Sequence, residues 1–328
     1  MKNILRSFLA CFCVLGIASP AMSVTKLDLA TTYSGANLHA ETCRELAKRI
    51  KDATNGDVII TVHEGGSLGM KDEDHFTSVA DGIVPMASIL MGAAIGTSPL
   101  YGLSTSPFLV KNFKESKLLN DIARPYYDKE AEKLNQIILY TAPWPSSSIH
   151  AKRPIKTYED IKGLRIRTYD KNGTDVLKKG GANAVVMSWG DVYPALATGA
   201  IDSVLTSSTS AVAGKFWEVL TDTTRVNFAI PLNMININRD TFNSLTKEQQ
   251  EIFLKVGRDM EERQWKIAAE AMDAEEAILK KNGMNIHPHI SDELAGKLRE
   301  SGRYIIDEWL KKTGKDGKAI LDEFEARR

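Results

Sequence analysis

Residues 246–283 read TKEQQEIFLKVGRDMEERQWKIAAEAMDAEEAILKKNG, and this stretch decides the architecture. Thr246 and Gln249 have the spacing of a capping box, in which each side chain satisfies the other residue's backbone N–H at a helix start. Phe253, Val256, Met260, Ile267, Ala271, Ala274 and Ile278 then recur at near-helical intervals, no proline intervenes, and Asn282-Gly283 supplies the stop. A helix of about 36 residues at ~1.5 Å each is roughly 54 Å long, whereas a lobe of about 150 residues is only about 40 Å across. The helix therefore has to cross two lobes, with Gly257 as a place where it could bend.

Upstream, strands and helices alternate. Lys26–Thr32 reads as a strand, Asn37–Ala53 as an amphipathic helix and Asp57–Val62 as a β-branched strand. A helix near Lys71–Ala80, a strand Pro85–Leu90, a helix of about Lys114–Leu134 and a strand Gln136–Tyr140 follow. The same grammar repeats in Leu164–Arg167, Gly173–Lys179, Ala184–Met187, Asp191–Ala197, Ile201–Leu205 and a strand Arg225–Ile230. Two helices, about Ser291–Lys312 and Lys315–Ala326, close the chain. This alternation predicts α/β lobes with mostly parallel sheets covered by helices on both faces. The expected division is 24–146 plus 232–272 for the first lobe and 147–231 plus 273–328 for the second.

The 328 residues carry 42 basic and 42 acidic side chains and are 43% hydrophobic, an ordinary globular composition that excludes disorder. With no basic block there is no footprint for nucleic acid or an anionic membrane surface. Residues 1–23 differ from the rest. Lys2 and Arg6 precede an apolar run, Phe8–Ile17, and Ala21-Met22-Ser23 supplies small residues at a cleavage site, the pattern of a secretory signal. The run is too short to span a bilayer, and too few apolar residues precede Cys11 for a lipoprotein box. Cleavage would remove Lys2 and Arg6, leaving 40 basic against 42 acidic groups, and would leave Cys43 as the only thiol. Cys43 shares a helical stripe with Leu46 and Ile50 and reads as a small core residue.

Gly65-Gly66-Ser67-Leu68-Gly69 matches G-x-S-x-G between a strand and a helix, the context of a nucleophile elbow. A serine hydrolase built on Ser67 is therefore an alternative. Yet His75, His150, His287 and His289 are all poorly spaced to serve it, and a plain glycine turn is the simpler reading. His287 and His289 lack further ligands at zinc spacing. No phosphate loop, dinucleotide fingerprint or CxxC is present, so the sequence offers neither a metal nor a cofactor.

In Lys162-Gly163-Leu164-Arg165-Ile166-Arg167 the two arginines alternate with apolar residues on a strand. An arginine at the C-terminal end of a strand in an open α/β lobe stands where ligands bind, and its planar fork grips carboxylates bidentately. Spacing alone is equally compatible with a solvated edge strand.

The run Pro154-Ile155-Lys156, Glu159–Arg167, then Met187-Ser188-Trp189-Gly190-Asp191-Val192-Tyr193-Pro194-Ala195-Leu196, then Thr198-Gly199-Ala200-Ile201-Asp202 resembles the substrate-binding subunits of tripartite ATP-independent periplasmic (TRAP) transporters, the DctP-like family. Leu38-His39-Ala40, Gly66-Ser67-Leu68-Gly69 and Asp81-Gly82 share the likeness, which covers essentially the whole mature chain. The resemblance implies a periplasmic, monomeric, two-lobed venus-flytrap protein that hands an organic acid to small and large membrane subunits. It implies that Arg167 grips the acid, that Trp189 covers it, and that Thr206, with Ser207 beside it, lies at a strand end in the pocket. Ser146-Ser147-Ser148 replaces a second arginine of sialic-acid-binding members, and Leu90, Met91 and Ala93 replace charged positions. With Thr32, Tyr33, Trp144, Ser147 and Asn233 as further candidate contacts, the expected ligand is a monocarboxylate of modest or apolar body, an aromatic one included, or a sulfonate. A binding protein of an ATP-driven or tricarboxylate importer is the neighbouring alternative, set apart by the long helix. A module that presents its ligand to a receptor kinase would share the same site.

Overall fold

The computed structural model describes residues 24–328; the signal-sequence expectation for 1–23, with Cys11 and Cys13, lies outside the described residues. In chain order the elements are β1 (Thr25–Ala30), α1 (Leu38–Ala53), β2 (Val58–His63), α2 (Asp72–Ala80), β3 (Met86–Leu90), α3 (Phe113–Lys133), β4 (Gln136–Pro143), β5 (Ser148–Ala151), α4 (Tyr158–Ile161), β6 (Arg165–Thr168), α5 (Lys171–Lys179), β7 (Asn183–Val186) and α6 (Trp189–Thr198). They continue as β8 (Ser203–Thr206), α7 (Ser208–Ala213), β9 (Asp222–Thr224), β10 (Leu232–Asn238), α8 (Arg239–Ser244), α9 (Lys247–Lys281), β11 (Asn285–His287) and α10 (Asp292–Arg327).

Two sheets result, in the orders β2-β1-β3-β10-β4 and β11-β9-β5-β8-β6-β7. Neither is purely parallel: β10 runs antiparallel to β3 and β4, and β5 antiparallel to β8 and β9. The reason is where these strands enter. The start of β5 pairs with the end of β8 (Ser148 with Thr206), and the start of β10 pairs with the end of β3 (Asn233 with Leu90). A strand that arrives from the other lobe begins at the junction, where the parallel strands finish, and so must run away from it.

Residues 225–230, expected as a strand, instead form, with Pro231, the returning connector. Trp144 N–H donates to the Pro231 carbonyl (2.9 Å), Ser147 N–H to that of Ala229 (2.9 Å) and Phe228 N–H to that of Ser147 (3.1 Å), which ties the two crossings side by side. Asn227, at φ 48°, interrupts regular pairing just before this contact.

The third crossing is α9. Its capping box forms as the spacing predicts, Gln249 N–H donating to Thr246 Oγ1 (3.2 Å) and Thr246 N–H to Gln249 Oε1 (3.1 Å). At 35 residues it is about 52 Å long. Its first half packs against β4, where Arg124 Nη1 donates to Glu261 Oε2 at 2.7 Å and Thr141 Oγ1 to Glu261 Oε1 at 3.1 Å. Its second half is tied to the other lobe through Arg225 Nε with Glu276 (2.8 Å) and Thr209 Oγ1 of α7 with Glu275 (2.7 Å). Gly257 lies inside the uninterrupted helix. A Cβ there would come within 2.6 Å of the Leu139 carbonyl, so glycine allows helix and strand to touch.

The C-terminal helix breaks at Gly314 (φ 58°, ψ −129°), inside the expected interruption. Beyond the lobe division expected for 273–328, Trp309, Ile320 and Phe324 pack into the core that holds Phe76, Tyr101 and Tyr127 of the first lobe. The chain end therefore returns across the junction. No helix of the described residues is long and apolar enough to cross a membrane.

Candidate functional site

Where the strand ends of the two sheets meet, they enclose a cavity lined by Tyr33, Asp72, Leu90, Trp144, Ser147, Arg167, Tyr169, Trp189, Thr206, Ser207, Ser210 and Pro231. It holds about 380 Å³ of atom-free space, counting the part open to the cleft. Its position follows from the topology: Leu90 ends β3, Arg167 lies near the end of β6, Thr206 ends β8, and Ser147 precedes β5.

Arg167 is only 3% exposed. Its Nε donates to the Met187 carbonyl (2.8 Å), which fixes the plane of the guanidinium and leaves the terminal nitrogens without a partner among the described residues. Among the described residues no carboxylate pairs with it. Burial lowers its pKa, and the negative charge of Asp72 opposes that shift. Arginine nevertheless stays protonated, so a buried positive charge with free donors faces the cavity. Arg165, two residues earlier, is instead exposed and paired with Asp202 (3.1 Å).

Around the guanidinium the walls are aromatic and hydroxylic. The Trp189 ring lies 6.0 Å from Arg167 Cζ, at the outer reach of a cation–π contact. Trp144 stacks on His39 at 3.9 Å, meets Tyr33 edge-on at 5.0 Å and donates its Nε1–H to Asn233 Oδ1 (2.8 Å). Ser147 Oγ shares a hydrogen bond with the Tyr169 hydroxyl (3.1 Å). Burial drives both the Tyr33 and Tyr169 phenols well above their ordinary values, which keeps them neutral and able to donate.

Eight of the eleven expected contacts, Tyr33, Leu90, Trp144, Ser147, Arg167, Trp189, Thr206 and Ser207, thus line one cavity. Three do not. Met91 is fully buried and packs in the core of the first lobe, because the chain turns into a short 3₁₀ segment after Leu90. Asn233 has both ends of its amide engaged, by Trp144 and by Ser88 Oγ (2.9 Å), and stands behind the wall. Thr32 is occupied by a bond to Asp72.

Asp72, Tyr169, Ser210 and Pro231 were not foreseen. Asp72 opens α2 among Lys71, Glu73 and Asp74, and in one dimension such a cluster reads as a solvated helix start. Tyr169 follows the quoted arginine strand directly, and that adjacency was the available signal. The pocket has therefore kept one carboxylate that the reading of a charge-depleted site overlooked.

Ser67 lies exposed in a turn whose flanking glycines adopt positive φ (Gly65 64°, Gly66 68°, Gly69 76°). Three of the four candidate histidines are engaged elsewhere: His75 at the Ser88 carbonyl, His150 at Thr223 and His287 at Asp222. Cys43 is buried, its thiol pushed up to about 12. Among the described residues no three metal-binding side chains converge.

Two α/β lobes joined by three crossings and the returning C-terminal helix, with Arg167 as the one buried cation among the described residues, define a solute receptor that encloses its ligand. Residues 30–312 match the family described as bacterial extracellular solute-binding protein, family 7, and the chain belongs to it. The family comprises transport receptors, not enzymes, and its members act outside the cytoplasm. The fold is shared with an extracytoplasmic solute receptor of Bordetella pertussis, DctP6, described as binding pyroglutamic acid: TM-score 0.89, 31% identity, 92% of this chain and 100% of that one. A marine metagenome TRAP solute-binding protein described as specific for pyroglutamate gives TM-score 0.88 at 27% identity, covering 93% and 99%. A solute-binding protein of Albidiferax ferrireducens is 26% identical over 270 residues, 79% of this chain and 78% of its own.

Proposed function

We propose that this receptor captures a compact monocarboxylate, of the size and single charge of pyroglutamate, and delivers it to the membrane subunits of a TRAP transporter. The observation that carries the reading is Arg167, a buried guanidinium with free donors and no carboxylate partner, facing a small cavity. A carboxylate there would complete the bidentate pair that the protein itself omits, in a site where closure excludes water and strengthens the attraction. The walls supply apolar area and neutral hydroxyls, which suit a ring-sized acid better than a polyhydroxylated or doubly charged one. The pyroglutamate described for two similar receptors supports the same ligand class. In this reading the protein is exported by cleavage after Ser23 and acts as a monomer, with Arg167, Trp189, Trp144, Tyr33, Leu90, Ser147, Thr206 and Ser207 as the contacts.

A thermal-shift screen of the mature protein tests it. A ligand at 100 times its Kd adds about 2.7 kcal/mol to stability and raises the melting temperature by a few degrees. Stabilisation by pyroglutamate and similar small monoanions is the expected result. Stabilisation by dicarboxylates or sulfonates alone would overturn the monocarboxylate assignment.

A further inference from the structure

Asp72 is the one acidic side chain on the cavity wall. Oδ1 accepts the Thr32 hydroxyl (2.5 Å), and Oδ2 accepts the Trp189 N–H across the cleft (3.1 Å). Each carboxylate oxygen has two acceptor positions, so one on each remains for an occupant. Of the neighbouring charges, that of Asp72 acts most strongly on Arg167, yet the two groups form no ion pair. An unpaired cation and an unpaired anion on one small cavity call for a ligand that satisfies both.

The charges limit what that ligand can be. Arg167 and Asp72 together sum to zero, so a bound monoanion leaves one net negative charge in a largely buried site. A second carboxylate would add a like charge beside Asp72, which the low local dielectric makes costly. A hydrogen-bond donor close to the ligand's carboxylate does the opposite. It gives the half-buried Asp72 carboxylate, which already accepts the Thr32 hydroxyl and the Trp189 backbone N–H, a third donor at one of its remaining acceptor positions.

We infer that Asp72 is a specificity-determining residue that selects acids carrying an N–H beside the carboxylate, as in a lactam or an α-ammonium group. The inference rests on the reading of Arg167 as the carboxylate grip. Selection then follows from the division of labour: Arg167 holds the anionic end and Asp72 tests the adjacent atom. Because Asp72 also accepts the Trp189 N–H, the residue that reads the donor also helps hold the two walls together.

Calorimetric titration with pyroglutamate and with 3-oxocyclopentane-1-carboxylate tests this, since the second compound keeps the ring, ketone position and carboxylate but carries CH₂ in place of N–H. The full mature chain should prefer pyroglutamate by about tenfold to a hundredfold, the contribution of one added hydrogen bond to a charged acceptor. Asp72→Asn should narrow that preference to a few-fold by weakening pyroglutamate while leaving the carbocycle unchanged or tighter. Its unliganded melting temperature reports that the fold is retained. Equal binding of both compounds by the wild type, or equal weakening of both by Asp72→Asn, would overturn the role of Asp72 and leave the Arg167 reading standing. Failure of the wild type to bind either compound would overturn that reading and, with it, this inference.

Discussion

From the first lobe the cavity receives Tyr33, Leu90, Trp144 and Asp72; from the second it receives Arg167, Trp189, Ser147, Tyr169, Thr206, Ser207 and Ser210. One wall is aromatic and aliphatic with a single acceptor, and the other sets its cation beside Trp189 and is rich in hydroxyls. Their support differs too. Trp144 is locked by His39, Tyr33 and Asn233, a rigid arrangement that completes itself without an occupant. Arg167 is locked only through Nε and is left incomplete. The second wall thus has most to gain from a ligand, and the first supplies a preformed surface to close over it. Ligand-driven closure follows from this asymmetry, because only a state in which both walls meet the ligand gains from both sets of contacts.

The contrast breaks first at Arg167. Arg167→Ala should weaken binding of a small monocarboxylate about a thousandfold, the range for truncating one partner of a buried charge pair. Its unliganded melting temperature should stay level or rise, since an unpaired buried cation has been removed. Calorimetry beside a thermal melt checks both. A large drop in the unliganded melt would make Arg167 structural and erase the difference between the walls.

Trp144→Phe probes the other wall. It strands the Asn233 carbonyl oxygen and should cost about 1–3 kcal/mol of stability, read as a melting point lower by several degrees, while affinity falls far less than for Arg167→Ala. Loss of affinity with unchanged stability would reverse the roles assigned here.

Asp170 sharpens the contrast through pH. Buried below the second wall, its carboxyl is pushed up from 3.8 to about 6, chiefly by loss of water. A folded value above the unfolded one means that the ionised form costs stability near neutral pH, and the cost is relieved as pH falls from about 6 to about 4. Asp170→Asn keeps an oxygen to accept the Gly173 N–H that caps α5. It should melt higher than wild type at pH 7.5 and lose that advantage at pH 4.5. His39 and His150, lowered by burial to about 3 and about 4, destabilise both proteins alike on acidification, so the difference between the two curves is the readout. A difference that does not change with pH would contradict the assignment.

The smallest effect belongs to the rim, where Ser188 Oγ donates to Glu73 across the cleft at 3.0 Å. Ser188→Ala should raise Kd by no more than about threefold, mostly through faster dissociation measured by stopped flow, as expected for an exposed contact. A tenfold loss would move the latch from the buried wall to the rim.

Much of this was legible in one dimension. The long helix was, because its capping box and its apolar period are local properties that no partner had to complete. The strand-end position of Arg167 was, since side chains alternate with period two and βα units finish their strands at the cleft. The connector at 225–230 was misread as a strand because its apolar residues are buried by the facing crossing, and burial looks the same in a sequence whichever backbone conformation achieves it. Met91 was misassigned to the wall because the chain changes direction after Leu90, and strand alternation stops there.

Asp72 shows where the sequence alone runs out. Its neighbours Lys71, Glu73 and Asp74 give it the look of a solvated helix start, and no local pattern tells which carboxylate of such a group turns inward. Only the approach of α6 to α2, elements more than a hundred residues apart, sets Asp72 against the Trp189 N–H and in the field of Arg167. Sequence by itself determined the elements, the two-lobed plan and the cation. Tertiary structure decided which charges share a cavity, because that depends on long-range packing of rigid lobes and not on any residue's own preference.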